Sequence, residues 1–135
     1  MNASAPSQIK LHRATRTLEL AYADGKRYQL PCEYLRVFSP SAELQGHGRA
    51  EPLLIGGKRS VNIAAIDAVG RYAVRLRFDD GHDTGLYSWD VLENLGREQD
   101  KNWARYLERL AEVGMSRDSD VTKFAALPKK YIPPA

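Results

Sequence analysis

Apolar and polar residues alternate with a period of two in several short stretches, and that period predicts strands. Ile9 and Leu11 alternate with Lys10 and His12. Leu18, Leu20 and Tyr22 then alternate with Thr17, Glu19 and Ala21, and after Asp24-Gly25 the pattern resumes with Tyr28 and Leu30. An Asp-Gly pair between two alternating runs predicts a β-hairpin, because glycine accepts the positive φ that tight turns need. Pro31 ends this ladder, and Cys32 to Phe38 predicts a helical turn that carries Tyr34, Leu35 and Phe38 inward.

From Ser39 to Ser60 the period dissolves into a stretch with four Gly, two Pro and three Ser. A loop of this length inside a small domain is uncommon and often functional or mobile. Order returns at Val61. The strand after Gly70 is predicted to turn Tyr72, Val74, Leu76 and Phe78 one way, and Arg71, Ala73, Arg75 and Arg77 the other. A second Asp-Gly turn, Asp80-Gly81-His82, follows, and Thr84 to Tyr87 reads as the returning strand. Ser88 suits a helix N-cap, Asp90 suits the first turn, and Gly96 is predicted to close that helix. A longer helix over 97–113 carries Trp103, Tyr106, Leu107, Leu110 and Val113 as one stripe, which could pack on the sheet or on a second copy of the chain, and Gly114 stops it. The expected fold is thus α+β: a small antiparallel sheet core with two hairpins, a long Gly/Pro loop and two C-terminal helices. Residues 1–7 are expected to be disordered, 8–114 to form the domain, and 115–135, with four basic and two acidic side chains, to be a flexible basic tail.

Composition narrows the function classes. The 135 residues are 43% hydrophobic and 27% charged, as in a globular protein of single-domain size. Twenty basic against seventeen acidic side chains leave +3, a small excess for a nucleic-acid binder. The first residues lack the basic and apolar regions of a secretory leader, and no apolar run approaches membrane-spanning length. A cytoplasmic protein with no membrane contact is expected. The single cysteine, Cys32, precludes a disulfide within the chain.

His82, His47 and Cys32 are the candidate metal ligands, for zinc or iron. They are scattered through the sequence without CxxC or HxxxH spacing. For Cys32 a small buried hydrophobe is the competing reading, and for His82 a hydrogen bond that holds the hairpin to the long loop. Arg71, Arg75 and Arg77 could line one strand face and bind phosphates or an acidic partner; the competing reading is a solvated face with local carboxylates. No G-x-S-x-G elbow is present, and Gly56-Gly57-Lys58-Arg59-Ser60 lacks phosphate-loop spacing, so it reads as a flexible turn. No catalytic residues are assigned.

Leu35-Arg36 and the block from Gly70 to Trp89, with its Asp-Gly-His and Thr-Gly-Leu-Tyr-Ser-Trp runs, resemble the γ-butyrobetaine-hydroxylase-like N-terminal domain family. The resemblance covers roughly residues 8–114. It implies relatives that are stand-alone bacterial domains of unknown function, N-terminal modules of 2-oxoglutarate-dependent hydroxylases, or modules fused to iron–sulphur scaffold ATPases. It also implies a structural zinc in the hydroxylases, held by three cysteines and by the histidine of the Asp-Gly-His turn. Those cysteine positions fall at Ser39, Ser41 and Leu44 here, and only His82 is retained, so the zinc set does not carry over. The expected function is a non-catalytic accessory module that works through an unidentified protein partner, linked to iron–sulphur or 2-oxoglutarate-oxygenase systems. The alternatives are metal binding through His82 and His47, with or without Cys32, and nucleic-acid binding through the arginine face, which the charge disfavours.

Overall fold

The computed structural model describes residues 4–40 and 53–118. Three strands, β1 (Gln8–His12), β2 (Thr17–Ala21) and β3 (Arg27–Pro31), form one antiparallel sheet in the order β1-β2-β3. The helix α1 (Cys32–Val37) starts on the residue after β3. A second sheet, β4-β5-β6, is built from Ile63–Val69, Ala73–Phe78 and Gly85–Ser88, and α2 (Trp89–Arg97) again starts on the next residue. The same order, three strands and then a helix, thus occurs twice. The core is lined by two three-stranded sheets rather than one.

The two Asp-Gly hairpins share their geometry. Tyr22 N donates to Lys26 O at 2.9 Å and Gly25 N to Tyr22 O at 3.0 Å; Phe78 N donates to His82 O at 2.9 Å and Gly81 N to Phe78 O at 3.2 Å. Gly25 and Gly81 sit at φ 93° and 92°, the left-handed region that closes a three-residue hairpin loop. Each aspartate accepts from a backbone N–H two residues on: Lys26 N at 3.0 Å for Asp24 Oδ1, and His82 N at 3.1 Å for Asp80 Oδ1.

Leu18, Leu20 and Leu30 from the first sheet meet Ile63, Leu76, Phe78 and Tyr87 from the second in a single core, closed by Tyr34, Leu35, Leu92 and Leu95 of the helices. Tyr34 Oη donates to Leu95 O at 2.7 Å and accepts from Asn102 Nδ2 at 3.0 Å, which ties α1 to α2 and to α3 (Gln99–Glu112). Ser88 caps α2 by accepting from Val91 N at 3.2 Å, as its sequence position predicts.

Two sequence expectations change and a third holds. Gly96 does not close α2, which runs on through Arg97; a Cβ there would stand 2.5 Å from Cγ of Tyr28, so the glycine is needed for close approach to that ring. Gly114 does close α3, at φ 72°, with Gly114 N bonded to Ala111 O and Met115 N to Leu110 O in a Schellman cap. Of the α3 stripe, Tyr106 and Leu110 pack with Trp103 against Val37, Phe38 and Leu54, so the stripe lies on the end of α1 and the loop rather than on a sheet. Leu107 and Val113 stay exposed.

The folded part also extends beyond Gly114. Gly57 N donates to Ser116 O at 2.8 Å and Arg59 N to Arg117 O at 2.9 Å. Arg117 forms a fork on buried Glu33, Nη2 to Oε1 at 2.7 Å and Nε to Oε2 at 2.9 Å, with its guanidinium over the Trp103 ring. The segment 115–118 is therefore docked, and the remainder of the expected tail lies outside the described residues, as do residues 1–3 and 41–52 of the loop.

Candidate functional site

The second Asp-Gly turn forms a polar corner against the described core. Asp80 Oδ2 accepts from Arg36 Nε of α1 at 2.8 Å and from Lys58 Nζ at 2.7 Å. Burial pushes the Asp80 carboxyl up, but Lys58, the His82 backbone N–H and Arg36 together outweigh it and hold the group at about 2. The Arg36 side chain is itself buried, and its Nη1 has no hydrogen-bond partner among the described residues.

His82 Nε2 lies 3.0 Å from Ser39 Oγ, and its ring stacks obliquely near Phe78. Ser39 is wholly buried, so its hydroxyl is closed to a substrate, and the pair acts as a clamp between the turn and the chain after α1. Gly85 makes this packing feasible: a Cβ there would stand 2.5 Å from Ser39 Oγ. Alongside, Tyr87 donates from Oη to Leu35 O, and burial pushes its phenol well up.

The other predicted ligands have different surroundings. Cys32 is fully buried, its Sγ is 3.6 Å from Asn62 Oδ1, and burial raises its thiol. His47 lies outside the described residues, with Ser41 and Leu44. Among the described residues no three His, Cys, Asp or Glu side chains gather as a metal-binding group.

The arginine face is only partly as the alternating pattern predicts. Arg75 and Arg77 project from the outer face of β5, and both reach the same carboxylate, Asp67 of β4, at 3.3 and 3.0 Å. Arg71 is not on the strand. It belongs to the turn after Gly70, where its carbonyl accepts from Trp89 Nε1, and Tyr72 beside it is 62% exposed rather than buried. Leu86 is the cross-strand neighbour of Arg75 and is also exposed.

Two contributors to the site escaped sequence reading. Arg36 is visible only as half of a Leu-Arg pair, and Lys58 falls in a stretch read as a flexible turn. A signal existed for the first, since a lone arginine among residues pointing inward needs a buried partner.

The model of the family described as gamma-butyrobetaine hydroxylase-like, N-terminal, matches residues 9–93. The chain belongs to that family. Among solved structures, two solution structures of members of this fold are 50% and 49% identical to this γ-butyrobetaine-hydroxylase-like domain. They cover 88% and 87% of it, and 94% and 88% of their own chains, with TM-scores of 0.77 and 0.76. A crystal structure from Acidithiobacillus ferrooxidans, described as a protein with unknown function of the DUF971 family, is 35% identical with a TM-score of 0.57, covering 67% of this domain and 91% of that chain. No curated protein matches. The α+β fold and the family expected from the Asp-Gly-His block are therefore correct. None of the described helices of this γ-butyrobetaine-hydroxylase-like domain is long and apolar enough to cross a membrane.

Proposed function

We propose that the domain is a non-catalytic binding module that acts through protein–protein contact, with the outer face of β4-β5-β6 as its contact surface for an acidic partner. One observation carries this reading: two exposed guanidiniums, Arg75 and Arg77, share the single carboxylate of Asp67 beside exposed Leu86. Such a face keeps a surplus positive charge beside an apolar contact, and arginine is enriched where partners dock. Arg71, in the adjoining turn, is a further exposed cation. The fusions that the family resemblance implies direct the search for partners to iron–sulphur and 2-oxoglutarate-oxygenase systems.

The test is cross-linking capture with the full chain and with Arg75→Glu/Arg77→Glu, whose fold is checked by circular dichroism. The reading requires a protein that wild type captures reproducibly and the charge-reversed variant does not. Capture that ignores the reversal would overturn it. So would arginine-dependent retention of nucleic acid instead of protein, falling steeply with salt.

A further inference from the structure

We propose that the corner between α1 and the Asp80-Gly81-His82 turn is a binding site for a small oxyanion, a phosphate or a carboxylate group. This is independent of the outer sheet face, which lies on other residues. Two cations, Arg36 and Lys58, converge on one carboxylate oxygen, Asp80 Oδ2, at 2.8 and 2.7 Å. These three groups sum to one surplus positive charge. Arg36 is 8% exposed, and its Nη1 is buried with no acceptor among the described residues. An unpaired buried donor on a charged group is costly, so the site favours any occupant that supplies an acceptor. Water supplies the acceptor alone, whereas an oxyanion supplies both the acceptor and the missing negative charge.

Geometry gives the occupant its contacts. Guanidinium forks match the paired oxygens of carboxylates and phosphates, and Nε of Arg36 is already committed to Asp80, which leaves Nη1 for the ligand. The Lys58 side chain is 22% exposed, so its ammonium reaches Asp80 from the solvent side. By swinging off Asp80 it opens the corner and meets the same ligand with its ammonium. The clamp of Ser39 and His82 at 3.0 Å keeps the turn from moving away as this happens.

The experiment is a nuclear magnetic resonance titration of the full, isotope-labelled chain. The amides of Gly81 and His82 and the Arg36 Nε–Hε signal are followed as inorganic phosphate, and separately acetate, is added, with chloride at matched ionic strength as control. Saturable shifts with phosphate alone, with acetate alone or with both are expected, and which of them saturates identifies the ligand group. Lys58→Met should weaken that binding by about tenfold, as loss of one charge-assisted contact does. Arg36→Lys, which can still pair with Asp80 but lacks Nη1, should weaken it at least as much. Amides of β1 and β2 report whether each variant is folded; if Arg36→Lys unfolds, the part-exposed Lys58 variant still decides. Shifts no larger than those from chloride, or a Lys58→Met titration that matches wild type, would overturn the proposal.

Discussion

Asp80 joins a local and a tertiary role in one side chain. Oδ1 accepts from His82 N and so shapes the turn, while Oδ2 binds Arg36 and Lys58 and so fixes the turn against α1 and the loop. Its carboxyl is lowered from 3.8 to about 2, which means that the fold favours the charged form. The stability it contributes is therefore fully present above 3.8 and is lost as the pH falls toward 2. Asp80→Asn keeps the turn acceptor but leaves the Arg36 guanidinium buried beside a neutral group. We expect it to destabilise the domain by on the order of 2 kcal/mol at neutral pH. Urea unfolding across a pH series should show the gap between wild type and variant closing through that acid window. A gap that is the same at both ends would mean that the ion pairs contribute nothing. The sequence displays this aspartate plainly as a turn former, but its second oxygen is invisible there, because Arg36 and Lys58 meet it only after the chain has folded.

At the scale of elements, legibility followed how local the cause is. Both Asp-Gly hairpins could be read because the turn needs one residue type at one position, and Gly25 and Gly81 occupy it at nearly equal φ. Ser88 and Gly114 were equally readable as caps. Gly96 misled because a glycine late in a helix has two causes with one spelling: a left-handed terminus, or a neighbour too close for a Cβ. Here the neighbour is the ring of Tyr28. The alternation of the fifth strand misled in a similar way, since Arg71 and Tyr72 extend its period into what is a turn. Gly96→Ala separates the two causes for that glycine. Helix propensity alone would make alanine stabilising by roughly 1 kcal/mol. The 2.5 Å approach to Tyr28 Cγ predicts the opposite sign, a loss of about 1–3 kcal/mol from overpacking, read as a lower urea midpoint. If the midpoint rises, the ring yields freely and Gly96 has no packing role.

For the molecule as a whole, the folded unit is longer than periodicity suggests, and the reason is physical. Residues 115–118 are held by two backbone bonds, by the Arg59–Asp118 ion pair and by one guanidinium on Glu33, contacts that occur once each and leave no repeating pattern to read. Glu33 is 6% exposed on α1, so it relies on Arg117 for its counter-charge. Arg117→Ala should leave that carboxylate buried and unpaired, a loss of about 2–3 kcal/mol, moderated because Arg117 itself is partly exposed. Ending the chain after Gly114 should cost at least as much, since it also removes the carbonyls that accept from Gly57 and Arg59. Adding Glu33→Gln to Arg117→Ala distinguishes a charge effect from a packing effect. A neutral amide needs no counter-ion, so the double variant should recover part of the loss in a double-mutant cycle. No recovery would assign the effect to the stacking of Arg117 on Trp103 instead. Should truncation at Gly114 leave stability unchanged, the domain would end where the helix does, and Glu33 would have to be satisfied by solvent at the surface of α1.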